Sequence, residues 1–177
     1  STAHASDFVF NTTHDKLGCW ATDFSRKFYE DNGFFLKKGG LEICRKDDDA
    51  RWEELKRKVE SGKAFGTNVR LISASESKEK FPLLDEDSIR GAMWDPDAGL
   101  VTPRSQDVVN FAVESSKDKG ALRTYTDTPA TGFEIENGRI TGVKTDRGTI
   151  KTNKVVIATG IWGPLMGDMA GVKIPLM

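Results

Sequence analysis

The sequence predicts an α/β (α+β) fold in which amphipathic helices alternate with short strands. Several polar segments carry apolar residues at helical spacing, which is typical of helices that bury one face. Residues 133–136 and 140–143 flank Asn137-Gly138, a strong signal for a β-hairpin. Residues 155–158 form a short apolar run with β-branched side chains, as in a strand that is buried on both faces. Together these patterns predict a mixed sheet with helices packed on it.

Composition and charge narrow the possible partners. The chain has 177 residues, 37% of them hydrophobic and 30% charged, which indicates one globular domain with a sizeable core. A formal net charge of -1 argues against a nucleic-acid partner, because such a surface needs a basic excess. The apolar runs are too short to span a membrane. With two cysteines, two histidines and no cluster of ligands, no metal site is predicted.

The first third of the chain predicts a helix and two strands. The helix covers roughly 15–31 and ends at Asn32-Gly33. Strands are expected at 34–36 and 41–44, and Gly39-Gly40 between them favours a turn over a close approach to a ligand. The apolar face of the helix is expected to be buried, and it consists of Leu17, Trp20, Ala21, Phe24 and Phe28.

The middle of the chain continues the alternation. A second helix is expected over 50–61 with Gly62 as its stop, and strands are expected at 69–72 and 89–94. Ser73 and Glu76 have the spacing of a capping box, so a brief helix follows the first of these strands. Thr102-Pro103 predicts the N-cap and first position of a further helix that ends at Gly120. Trp94 is expected to be a core residue rather than part of a site.

The end of the chain has the strongest candidate for a ligand contact. Residues 149–152 are expected to add an edge strand after the hairpin, and 163–170 a last helix. Thr159-Gly160 ends the apolar run, and ligands of open α/β sheets gather at such strand ends. A core strand followed by a plain turn is the alternative.

Three separated motifs, in this order, resemble a family of flavoenzymes. They are Ser1-Thr2-Ala3-His4-Ala5, then Gly39-Gly40-Leu41-Glu42, then residues 138–143 leading into 155–163. This pattern resembles FAD-dependent amine oxidoreductases of the D-amino-acid-oxidase superfamily, in particular the branch of dimethylglycine oxidase, dimethylglycine dehydrogenase and sarcosine dehydrogenase. The resemblance covers the whole chain.

The resemblance implies a partial FAD-binding D-amino-acid-oxidase-like fold with a substrate-domain β-sheet. Residues 1–177 are then a central segment that lacks the N-terminal GxGxxG unit and the C-terminal closing segment, so we expect the segment alone to hold FAD poorly and to be inactive. FAD is expected to be bonded covalently to His4. The other implied cofactor contacts are Ser1, Thr2 and Ala5 in the same run, the main chain of Ala130, and Thr159, Gly160 and Trp162 near the diphosphate and ribose. Where the family usually continues with alanine or proline and then glycine, this chain has Ser6-Asp7.

The activity that the resemblance implies is oxidation of an N-methyl amine such as dimethylglycine or sarcosine. Hydride would pass to FAD N5 and leave an iminium ion, and the electrons would go on to oxygen or an electron-transfer flavoprotein. A tetrahydrofolate-binding domain could follow, and the location would be the bacterial cytoplasm or the mitochondrial matrix. An arginine or lysine should hold the substrate carboxylate, but the sequence does not single one out and assigns no catalytic base.

Two alternatives stay open. One is a noncatalytic regulatory relative of the same fold, and the other is an amino-acid oxidase with noncovalent FAD. His4 favours the enzyme with covalent flavin over both, because these relatives lack the histidine linkage.

Overall fold

Helices and short strands alternate along residues 2–175, the part of the chain that the computed structural model describes. They belong to two compact units, one up to Ala121 and one from Leu122 onward. The first unit contains a 3₁₀ turn (Thr2–His4), β1 (Phe8–Val9), α1 (Lys16–Asp31), β2 (Phe35–Lys37), β3 (Gly40–Arg45), α2 (Asp49–Ala64), β4 (Arg70–Ser73), α3 (Ala74–Lys80), β5 (Ile89–Asp95), β6 (Gly99–Val101) and α4 (Ser105–Asp118). The second contains β7 (Ala130–Glu136), β8 (Arg139–Thr145), β9 (Gly148–Lys151), a 3₁₀ turn (Gly160–Trp162) and α5 (Gly163–Met169).

The strands form three three-stranded sheets, and all the described pairings are antiparallel. The orders are β1-β6-β2 and β3-β5-β4 in the first unit and β7-β8-β9 in the second. The strands predicted on either side of Gly39-Gly40 are both present, but they belong to different sheets and do not pair with each other. The predicted fold class, helices combined with small sheets, is confirmed.

The core of the first unit lies between α2 and one face of the β3-β5-β4 sheet. Leu55 and Val59 of α2 pack against Cys44 and Met93, and Leu55 and Met93 are completely buried. The helix runs past the predicted stop at Gly62 and ends at Ala64. A Cβ atom on Gly62 would lie 2.7 Å from Thr67 Oγ1 and 2.8 Å from Thr12 Cγ2, so the glycine permits close packing rather than ending the helix.

The prediction of α1 was right about its bounds and wrong about its burial. Asp15 caps the helix by accepting a hydrogen bond from the Gly18 N–H at 2.8 Å. Its predicted buried face is largely exposed, with 71% of Leu17, 62% of Trp20 and 64% of Phe24 accessible. At one end of this face Phe28 contacts the Phe111 ring of α4, with centroids 6.4 Å apart, whereas Trp20 and Phe24 stack on each other at 5.6 Å. Periodicity reports which residues share a face and not what packs against it.

The start of α4 also differs from the prediction. Thr102 is not the N-cap, because the helix begins only at Ser105. The cap comes from Asp7, whose Oδ1 accepts hydrogen bonds from the Ser105 N–H at 2.9 Å and the Ser105 hydroxyl at 2.6 Å. A cap supplied from so far away in the sequence leaves no local pattern. The helix ends as predicted, with Gly120 at a φ of 66° just beyond it.

The second unit confirms the hairpin and corrects the apolar run. Asn137 and Gly138 both have positive φ, 50° and 75°, as a type I′ hairpin turn requires. The predicted buried strand over 155–158 was wrong, because this segment belongs to none of the three sheets and 89% of Val156 is exposed. An apolar run becomes a strand only beside a partner strand, and none pairs with it within residues 2–175.

Gly39 begins the approach to β3 and touches Trp94. It has a φ of 76°, and a Cβ atom there would overlap the Trp94 ring. Gly33 has nearly the same φ, 75°, but no atom lies within 4 Å of the place where its Cβ would be. The two glycines therefore share the backbone requirement and differ in packing.

We expect Gly39→Ala to destabilise the protein more than Gly33→Ala. Both substitutions place alanine in the left-handed region at a cost of about 1–2 kcal/mol. Gly39→Ala must in addition displace the indole ring, and overpacking of this kind costs about 1–3 kcal/mol. Urea unfolding of the two variants measures the difference, and equal losses would contradict the packing role of Gly39.

Asp7 joins the N-terminal turn to two other elements. Its backbone has a φ of 59° and its carbonyl accepts the Val101 N–H at 2.7 Å. Its Oδ2 lies 3.0 Å from Arg104 Nε, in addition to the two bonds from Ser105. The hydrogen bond from the Ser105 hydroxyl is the main reason why the pKa of the Asp7 carboxyl lies below its usual value, and the Ser105 N–H and Arg104 lower it further.

We expect Asp7→Asn to lower the urea midpoint of the protein at neutral pH, because the variant loses the charge in these contacts. Asp127→Asn is the matched control, since Asp127 also has a positive φ, 50°, and asparagine tolerates that conformation. Because the folded-state pKa of Asp7 is depressed, its stabilisation is present above the unfolded-state pKa of about 3.9 and lost as the pH falls through the lower folded value. The difference between wild type and Asp7→Asn should therefore shrink in acid, and a difference that is independent of pH would contradict this account.

Candidate functional site

His4 lies in an exposed turn at the start of the first unit. The Ala5 N–H donates to the Thr2 carbonyl at 3.1 Å and closes the turn. The His4 side chain is exposed and makes no hydrogen bond or ion pair within residues 2–175. The other histidine, His14, lies 3.6 Å from Glu54 Oε1 at the surface of α2. His4 is therefore the histidine whose imidazole has no partner among residues 2–175.

A cleft of about 370 Å³ opens beside this turn, and we call it the N-terminal cleft. Thr2 and Ala5, two of the predicted cofactor contacts, line it. The remaining lining residues come from three other elements: Tyr29 from α1, Val101 from β6, and Ser105, Val108 and Val109 from α4. Sequence reasoning missed these residues as site residues, because only the folded chain brings them to the turn. Ser1, the other predicted contact of this run, lies outside the described residues.

Asp7 holds the turn against the walls of the N-terminal cleft. Its bonds to Val101 and Ser105 reach two residues that line the cleft. The positive φ of Asp7 also accounts for its departure from the family pattern. Glycine adopts this conformation at little cost, and aspartate is among the few other residues that tolerate it. The departure is thus compatible with the backbone that a glycine would take here.

The second group of predicted contacts lies in the second unit. The Trp162 N–H donates to the Thr159 carbonyl at 3.1 Å, which closes the turn over Gly160. The Thr159 hydroxyl is buried and has no hydrogen-bond partner within the described residues. Gly160 has a φ of 53°, and the space where a Cβ would lie is open. A buried hydroxyl without a partner is costly, and a ligand that supplies one removes the cost.

Ala130 belongs to the same unit as this turn. It begins β7, the outer strand of the β7-β8-β9 sheet, and the register shifts between Ala130 and Gly132. One edge of β7 has no partner strand within residues 2–175. Helix α5, which directly follows the Thr159–Trp162 turn, packs against β7. The unit thus places the turn and the strand of Ala130 on neighbouring elements.

These features fit FAD in their chemistry. The exposed imidazole of His4 suits a covalent attachment, and the unpartnered Thr159 hydroxyl and the open space at Gly160 suit the polar diphosphate and ribose. Backbone groups along the free edge of β7 suit the adenine. The first set belongs to the unit up to Ala121 and the second to the unit from Leu122.

Asp95 is the buried carboxyl that most resembles a catalytic group, but its contacts are structural. It is completely buried, and desolvation raises its pKa. Its two oxygens accept the Asn11 N–H at 2.8 Å and the Asp97 N–H at 3.1 Å. These bonds fix the turn between β5 and β6, so we assign Asp95 no catalytic role.

Residues 2–175 contain neither a metal-binding cluster nor a membrane-spanning helix. In that range no three histidine, cysteine, aspartate or glutamate side chains gather closely enough to hold a metal ion. Within the same residues, no helix combines the length and the apolar character needed to cross a membrane.

Comparisons with known proteins agree with the fold. Human mitochondrial sarcosine dehydrogenase is 31% identical over 161 residues, which is 86% of this chain and 17% of that protein. Human mitochondrial dimethylglycine dehydrogenase is 28% identical over 128 residues, 72% of this chain and 14% of that protein. The crystal structure of L-proline dehydrogenase from P. horikoshii superposes with a TM-score of 0.89 at 32% identity and covers 100% of this chain and 47% of its own.

The chain therefore spans about a sixth of the length of these two curated relatives and about half of the solved structure. Residues 7–177 match the sequence profile of the family described as FAD dependent oxidoreductase, DAO. The match covers nearly the whole chain, and the protein belongs to this family of FAD-dependent oxidoreductases.

Proposed function

We propose that this protein oxidises an N-methyl amine of the dimethylglycine or sarcosine type, with FAD bonded covalently to His4. The observation that carries the proposal is the exposed, unpartnered imidazole of His4, held beside the N-terminal cleft by the contacts of Asp7. A covalent bond needs a side chain that is free, and His4 meets this condition on a turn whose backbone is tied down by the Ala5 N–H and by Asp7.

The relatives support a substrate with a C–H bond next to an amine nitrogen. Two of them are named for sarcosine and dimethylglycine, which are N-methylated glycines, and the third is named for proline, a cyclic secondary amine. Each of the three substrates has a carboxylate. Each also has a carbon next to nitrogen that can lose hydride and leave a carbon–nitrogen double bond. We therefore infer a reaction at a CH–NH or N-methyl group of a small amino acid.

The residues of the chain then have separable roles. FAD, when bound, supplies the acceptor for the hydride of the substrate. His4 anchors the cofactor, and Thr2 and Ala5 leave room around it because their side chains are small. Thr159 donates its unpartnered hydroxyl, and Gly160 and Trp162 shape the turn beside it. The main chain of Ala130 binds the adenine end.

Two features of the whole protein belong to the same proposal. The electrons pass to oxygen or to an electron-transfer flavoprotein, and the enzyme works in the bacterial cytoplasm or the mitochondrial matrix. The composition supports a small-molecule substrate over a nucleic-acid or membrane partner, because the net charge is only -1.

Retention of flavin after acid precipitation tests the attachment. In the flavin-loaded full-length protein, we expect flavin absorbance to stay with the precipitated wild type and to move to the supernatant in His4→Ala. His14→Ala is the matched control and should retain the flavin as wild type does, since His14 lies beside Glu54 instead of the cleft.

Other outcomes would contradict the proposal in distinct ways. Flavin that washes out of the wild type would favour an amino-acid oxidase with noncovalent FAD. A protein that binds no flavin would favour the noncatalytic regulatory relative.

Flavin bleaching by dimethylglycine or sarcosine without oxygen then tests the substrate class, and bleaching by neither amine would contradict the proposed substrate class.

A further inference from the structure

A second cleft in the first unit, about 520 Å³ in volume, has the character of a binding site for a small amino acid. We call it the sheet cleft, because it lies on the β3-β5-β4 sheet. Leu41 and Trp94 are directly paired across β3 and β5 and therefore share one face, opposite the face on which Met93 packs against α2. Its apolar walls are Phe8, Leu41, Ile43, Phe81, Leu84 and Trp94.

The charged residues of the sheet cleft are both positive. Lys38 and Lys80 line it, and among the described residues no acidic side chain does. Neither ammonium group forms an ion pair with any residue that the structure describes. The Nζ of Lys80 lies over the Trp94 ring, 4.5 Å from its centroid. This cation–π contact directs the ammonium toward the aromatic wall, where it can meet a bound anion.

We propose that the sheet cleft binds the amino-acid substrate, with the substrate carboxylate on Lys80 and its N-alkyl group against the aromatic walls. This inference rests on the proposed function, because it names the substrate site of that reaction. The charge of the cleft complements a carboxylate, and its walls complement methyl groups. The sequence did not show which lysine or arginine would hold the carboxylate, and it predicted Trp94 to be a core residue. In the structure Trp94 is only half-buried, and it lines the same cleft as Lys80.

The sheet cleft lies near the turn that carries His4. Phe8 is part of its wall and follows His4 by four residues, so their Cα atoms are at most about 14 Å apart. A substrate in the cleft is thus within a short distance of the residue to which we assign the cofactor.

The electrostatics of the sheet cleft also suit the chemistry of amine oxidation. The described lining has two ammonium groups, apolar walls and no carboxylate, so it disfavours a positive charge on the substrate amine. The cleft therefore favours the neutral, unprotonated amine. The neutral amine is the reactive form, because its nitrogen lone pair must be free when hydride leaves the neighbouring carbon.

Equilibrium binding of a substrate isostere tests Lys80 without turnover. The probe is 3-methylbutanoate, which has the shape of dimethylglycine with carbon in place of nitrogen, and its neutral counterpart is 3-methylbutanamide. Titration calorimetry on the flavin-loaded full-length protein should show that wild type prefers the carboxylate. Lys80→Met should weaken carboxylate binding about tenfold or more and leave amide binding unchanged. Lys80→Arg should restore most of the affinity, because it restores the charge.

Lys78→Met is the matched control, since Lys78 lies on the same short helix and does not line the cleft. It should bind both probes as wild type does, and thermal melting checks that every variant is folded. Equal affinity of wild type for the two probes, or unchanged carboxylate binding in Lys80→Met, would overturn the proposal. Because binding needs no turnover, the sheet cleft can fail this test while flavin retention holds, and flavin retention can fail while the cleft binds the probe.

Discussion

The contacts of Asp7 are the constraint on which the first unit's part of the candidate site depends. One residue closes the N-terminal turn onto β6 through its carbonyl and caps α4 through its carboxylate. The turn is a short 3₁₀ turn that belongs to no sheet, and these bonds tie it to β6 and α4. Val101 and Ser105 also line the N-terminal cleft, so the same bonds join the turn to the cleft wall.

The first unit thus combines two clefts around one short segment. Thr2 and Ala5 line the N-terminal cleft, and Phe8, which follows Asp7, lines the sheet cleft. Substitution at Asp7 should therefore disturb cofactor and substrate binding together, whereas changes at Lys80 should disturb substrate binding alone. This separation follows from the geometry, because Lys80 makes no contact with the N-terminal cleft.

Sequence reasoning succeeded where the controlling interaction is local. The capping box of Ser73 and Glu76 and the turn at Asn137-Gly138 are set by residues a few positions apart, and both are present in the structure. It failed where a distant residue decides the outcome, as at the start of α4, where Asp7 replaces the expected cap of Thr102. The exposure of Trp20 on α1 has the same origin, because periodicity does not show whether a partner covers the helix face.

For the candidate site, too, the sequence alone predicted only part of the residues. Family resemblance identified His4, Thr159 and Gly160, and the structure added the buried, unpartnered state of the Thr159 hydroxyl. The family resemblance did not identify Tyr29 or Lys80, because these residues come from elements that only folding brings to the clefts.

The position of the flavin bond is the central claim, and mass spectrometry of a proteolytic digest of the flavin-loaded full-length protein tests it most directly. We predict that the flavin mass is found on the peptide that contains His4, and flavin on another peptide, or on none, would contradict the account.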